Sequence, residues 1–137
     1  MKKSFQPSAI DSLHRYYIWA NRLRLHFEKV LNGKSEDTKK YQIETMMYMS
    51  IWYGLLYVVI EGWKKLKLSD TKINKLLSET QKIKLLKRYR NGAFHYQKKY
   101  NDERFEEFFA EITTVTCVRS LNHELGRWFL ENLSNKK

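Results

Sequence analysis

The chain is expected to be all-α: an up-and-down bundle of four long helices plus a short one, forming a single domain over residues 1–137. Three observations predict this. The only proline is Pro7, so nothing breaks a helix beyond the first few residues. Apolar residues recur at three-to-four spacing along most of the chain. No stretch shows the strict alternation of a half-buried strand. At 137 residues, 42% apolar and 15% aromatic, the chain is large and apolar enough to bury a core, which excludes a disordered tail.

Ile10, Leu13, Tyr17, Ala20, Leu23, Phe27 and Val30 define the first amphipathic helix, which Asn32-Gly33 would close as a left-handed cap. A polar loop, Lys34 to Lys40, leads into a long second helix ending near Leu66. Within it, Met46 to Ile60 carries no charge. That run falls short of the roughly 20 residues a bilayer span requires, and its Tyr and Trp side chains carry polar handles. A helix apolar on every side is expected at the centre of a bundle or in a subunit interface, with no membrane partner. Ser69-Asp70 then caps a short helix, Thr71 to Leu77, and Ser78 with Gln81 offers a capping box for the next. Tyr100, Asn101 and Asp102 make a turn. A last helix places Phe105, Phe108, Ile112, Val115, Leu121, Leu125, Trp128 and Phe129 on one side. Gly54, Gly62 and Gly126 are expected to let helices approach closely, and Gly92 to leave room for a second helix or a ligand.

Twenty-six Lys and Arg against 15 Asp and Glu leave a formal charge of +11, which favours a polyanionic partner, above all nucleic acid. The lone Cys117 excludes an internal disulfide, fits a reducing cytosol, and is expected to be a buried, inert thiol. Residues Met1 to Pro7 lack the apolar core of a signal peptide, so a cytoplasmic location is expected. No His, Cys, Asp and Glu cluster has metal-ligand spacing, and no glycine-rich phosphate loop or activated serine appears, so neither metal nor cofactor is expected.

The most informative segment is Arg90-Asn91-Gly92-Ala93-Phe94-His95. Arginine grips phosphate with a planar fork that stays charged, and histidine is the side-chain type that takes and gives a proton near neutrality. On a helix Asn91 and His95 lie about 40° apart, while Arg90 flanks the pair. An Arg-Asn followed by His at this spacing would arise by chance only about 0.04 times in this composition. His14, His26 and His123 are expected to be surface or capping residues. The segment points to a phosphate-directed acid–base site: Arg90 as clamp, His95 as acid and base, Asn91 orienting substrate or imidazole.

This Arg-Asn-x-x-x-His pattern, near the end of a helix in a small helical bundle, resembles the HEPN-domain family. Leu85 to Tyr96 looks like the family's active-site helix, and the helix order matches over nearly the whole chain. The resemblance implies a metal-independent endoribonuclease of toxin or phage-defence type, acting on RNA as a homodimer. Its site would comprise Arg90, Asn91 and His95, and an antitoxin or other regulatory protein is a candidate partner. Gln97 stands where family members modified by a nucleotidyltransferase antitoxin carry a tyrosine, and Tyr96 is adjacent to His95 instead.

One motif histidine per chain serves two proton transfers only if a two-fold dimer supplies it twice, which makes a composite interface site the expectation. Lys87, Arg88, Lys98 and Lys99, with Lys82 and Lys84, are candidates to track the RNA backbone. Tyr96, with Tyr89 and Tyr100, is a candidate to stack bases. Glu61 is expected at the surface, with pairing to Arg90 as the alternative. Two rivals stand beside the nuclease: a helix-turn-helix built from Thr71–Leu77 and the helix after Ser78, and a catalytically inactive dimeric scaffold.

Overall fold

The computed structural model of the chain describes residues 8–33 and 38–133. Met1 to Pro7 and most of the 34–40 loop therefore lie outside the described residues. Within them the protein is all-helical: α1 (Ala9–Leu31), α2 (Lys39–Lys65), α3 (Thr71–Leu77), α4 (Thr80–Phe94), α5 (Glu103–Ala110) and α6 (Ile112–Leu133).

α2 is the axis of the molecule, because its apolar run has neighbours on several sides. Trp52, Tyr53, Leu56, Val59, Ile60 and Trp63 are all buried, each contributing roughly 1.5–3 kcal/mol by leaving water. By length and composition it is the one described helix apolar enough to cross a bilayer; here it packs among the other helices. α1 runs antiparallel to it. The Tyr41 hydroxyl donates to the Leu31 carbonyl at one end, Phe27 meets Trp52 midway, and Leu13 covers Gly62 at the other. α6 runs alongside α2: the Trp52 indole donates to Asn122 Oδ1 at 3.0 Å, and Trp63 meets Trp128 edge to face.

α4 crosses α2 by burying Ile83, Leu86 and Tyr89. Tyr89 packs against Tyr53, Phe105 and Phe108, and its hydroxyl shares a 2.9 Å hydrogen bond with Ser50. Gly92 lets α5 close in, since a Cβ there would meet Phe105 at 3.1 Å and Arg104 at 3.2 Å. At Gly54 the missing side chain admits a ring instead of a helix: an added Cβ would fall 2.2 Å from Phe94.

Several expected details are corrected. The long last helix is two, broken at Glu111, where the backbone turns extended (φ −116°, ψ 99°). The run Ile112-Thr113-Thr114-Val115-Thr116 that follows is β-branched throughout and a poor helix interior. The break swings Ile112 out to 78% exposure, away from the core stripe assigned to it. The Ser78–Gln81 capping box does not form. Only Ser78 and Glu79 separate α3 from α4, and Ser78 is spent closing α3, its hydroxyl donating to the Lys75 carbonyl. Asn32 ends α1 with ordinary right-handed angles (φ −87°). The left-handed cap occurs instead at Lys67 (φ 54°) after α2, where Leu68 N–H reaches the Trp63 carbonyl and Lys67 N–H that of Lys64. α2 begins at Lys39, earlier than expected, because Thr38 accepts the Tyr41 N–H. The Asp70 cap forms as expected, taking the Ile73 N–H at 3.1 Å.

Candidate functional site

α4 ends at Phe94, and the motif straddles that end. The last carbonyls of a helix lack intrahelical partners. Here Asn91 C=O is met by the ring of His95, 2.9 Å from Nδ1. His95 itself is no longer helical (φ −126°, ψ 136°), so the ring folds back on the helix terminus instead of standing on its face. A carbonyl only accepts, so Nδ1 carries the hydrogen of this bond, which leaves Nε2 as the lone-pair nitrogen of the neutral ring. The histidine is solvent-exposed. Its backbone is held as well, its carbonyl accepting from Gln97 Nε2 at 2.9 Å.

Arg90 leaves α4 toward α2. Its guanidinium donates to Glu61 Oε1 at 3.2 Å through Nη1 and to Asn91 Oδ1 at 3.1 Å through Nη2. It also lies over the ring of Tyr57 at 4.7 Å. Glu61 meets both expectations: its side chain is 45% exposed at the surface, and it is the ionic partner of Arg90. Tyr57 and Glu61, four residues apart and so on one face of α2, form a cradle that sequence reasoning had read separately, as apolar core and helix end. Burial, then the Glu61 charge, raises the Tyr57 phenol above its usual range, with Arg90 opposing.

Asn91 is the hinge between the two groups. Its side chain fixes Arg90 and its main-chain carbonyl fixes His95. The imidazole is thus oriented by backbone, and the amide is spent on the cation.

A shallow cavity of about 360 Å³ adjoins His95, lined by Gly92, Tyr96, Lys99, Tyr100 and Phe105 among others. Tyr96 is 92% exposed beside it. Lys87, Lys98 and Lys99 are exposed. Arg90 does not line this cavity; it joins the group through Asn91. Three expectations separate from the site. Arg88 points to α5, where Glu107 takes it in a two-pronged ion pair at 2.8 and 3.3 Å. Tyr89 is wholly buried, its phenol pushed up to about 12 by burial, and cannot stack a base. Lys82 pairs with Glu79.

Of the other histidines, His14 packs on Phe129 and His26 stacks on Tyr48, while His123 is exposed. Cys117 is buried, and burial raises its thiol. Among the described residues no three of His, Cys, Asp and Glu come together as a metal-binding group. Comparison with protein-family models, with curated proteins and with solved structures finds no match to this chain.

Proposed function

We propose that the chain is a metal-independent endoribonuclease with a HEPN-like bundle, cleaving RNA at a composite site formed by two copies. The observation that carries this reading is the hinge at Asn91. One residue fastens the phosphate-gripping cation and, through its carbonyl, a solvent-facing imidazole whose Nε2 has no partner among the described residues. Nε2 of His95 takes the proton of the ribose 2′-hydroxyl as O2′ attacks phosphorus. The P–O5′ bond breaks, and the departing 5′-oxygen takes a proton from the protonated His95 of the partner subunit. The products are a 2′,3′-cyclic phosphate and a 5′-hydroxyl.

General acid–base help of this kind is worth about 10²- to 10⁴-fold. Arg90, exchanging Glu61 for the scissile phosphate, supplies the preorganised charge that such a step rewards further. Lys87, Lys98 and Lys99 track the backbone, and Tyr96 and Tyr100 stack unpaired bases. The setting is that of a cytoplasmic toxin or phage-defence enzyme restrained by an antitoxin or other regulatory protein.

The helix-turn-helix rival draws less support. Its two helices must pack on each other, whereas α3 rests chiefly on α6 and α4 on α2 and α5. The scaffold reading predicts a dimer without turnover.

Sedimentation equilibrium combined with dilution tests the composite site. The expected mass is twice the 16.7 kDa chain, with RNA cleavage per chain falling as the dimer dissociates. A monomer that cleaves at full rate contradicts it. A dimer with no cleavage supports the scaffold.

A further inference from the structure

α1 and α6 enclose a cleft of about 600 Å³ that shares no residue with the His95 cavity. Its floor is a chain of hydrogen bonds. Buried Asn122 accepts from the Trp52 indole and donates from Nδ2 to Asn21 Oδ1 at 3.1 Å. Asn21 Oδ1 also accepts from Arg24 Nε at 2.9 Å. Both donors fall on the oxygen, so the Asn21 amide orientation is fixed and its own N–H groups have no partner among the described residues.

Glu28 is the pivot. One of its oxygens accepts from Arg24 Nη1 at 2.8 Å and the other from Arg119 Nη1. A single carboxylate therefore holds two guanidinium groups side by side, two cations against one anion. Arg24 Nη2, Arg119 Nη2 and Arg119 Nε have no partner among the described residues. The Tyr17 hydroxyl is likewise unpartnered. It lies in the space left by Gly126, where a Cβ would fall 2.2 Å away. Arg127, also on the wall, differs: Asp70, Glu124 and Glu131 all take it, and it acts as a brace between α6 and the start of α3.

Two half-buried guanidinium groups with three spare in-plane nitrogens and one uncompensated positive charge match an anion with several acceptor oxygens. Phosphate meets that description; a carboxylate offers only two oxygens. Tyr17 and the exposed Leu130 add an apolar wall, and the volume falls in the range of small-ligand sites, about 300–1,000 Å³. We propose that the α1–α6 cleft binds a phosphate monoester of nucleotide size, the phosphate seated on Arg24 and Arg119. The cleft is independent of the nuclease reading and stands or falls without it.

Calorimetric titration of the full chain in low-salt, phosphate-free buffer tests this, with AMP against adenosine and a short 5′-phosphorylated oligoribonucleotide against its 5′-hydroxyl twin. In at least one pair the phosphorylated member binds at least about tenfold more tightly. Arg119→Gln, which leaves Glu28 paired to Arg24, weakens that binding about tenfold with the thermal unfolding midpoint little moved, and Tyr17→Phe weakens it less. His95→Ala leaves it unchanged. Which pair responds tells a free nucleotide from an RNA end. Equal binding within both pairs overturns the proposal, and so does binding that survives Arg119→Gln but is lost in His95→Ala.

Discussion

The two ends of α4 are built on opposite terms. Its body is clamped: Leu86 and Tyr89 are fully buried, Tyr89 is surrounded by rings from α2 and α5, and Arg88 is tied to Glu107. Its C-terminal end opens to solvent, with Phe94, His95 and Tyr96 all exposed, and is held by one edge of the Phe94 ring against Gly54 and by single hydrogen bonds to Asn91 and from Gln97. The contrast teaches a division of labour. Packing energy is concentrated in the body, and it delivers to the surface a short segment whose groups are oriented but not occluded.

If that division is right, substitutions in the two halves separate cleanly. The largest effect falls at the C-terminal end: His95→Ala lowers RNA cleavage by about 10²- to 10⁴-fold while leaving the thermal midpoint nearly unchanged, because the residue is solvent-exposed and its ring makes a single hydrogen bond. In the body the pattern reverses. Leu86→Ala destabilises by about 2–5 kcal/mol in denaturant titration, the usual cost of a core cavity. At temperatures where the variant remains folded, its cleavage rate stays near that of the parent.

The α3–α6 brace gives a smaller effect, with a definite pH sign. Burial pushes the Asp70 carboxyl up, but the Ile73 N–H and the Arg127 guanidinium more than offset it and hold the carboxyl below its usual range. A lowered folded value means that the stabilisation is present above the ordinary carboxylate pKa, about 4, and is lost as pH falls through the lower folded one. Asp70→Ala therefore costs about 1–2 kcal/mol at neutral pH and flattens the acid limb of the stability curve below about pH 4. Smallest is Tyr89→Phe, about 1 kcal/mol, since it removes one hydrogen bond to Ser50 and leaves the ring in place.

What the sequence disclosed follows from how far each signal reaches. The stripe from Leu13 to Phe27 and the uncharged run of α2 are repeated local patterns, and both helices formed, although the cap of α1 and the start of α2 differ from expectation. The Asp70 cap is equally local. Ser78 misled because two helices competed for one hydroxyl. The break at Glu111 was hidden by an apolar spacing that continues across it, with only the β-branched run after it as a cue. The Arg90–Glu61 pair joins residues 29 apart; no periodicity carries such a contact, and only the crossing of α4 over α2 creates it. His95 lay in plain sight as a residue type, yet its attachment to a helix-end carbonyl depends on where α4 stops.

The most direct test of the central claim is end-group analysis of RNA incubated with the protein in excess EDTA, beside the Arg90→Ala and His95→Ala variants. The account predicts 2′,3′-cyclic phosphate and 5′-hydroxyl ends from the parent chain and almost none from either variant. Cleavage that persists in both variants, or that yields 3′-hydroxyl ends, would contradict it.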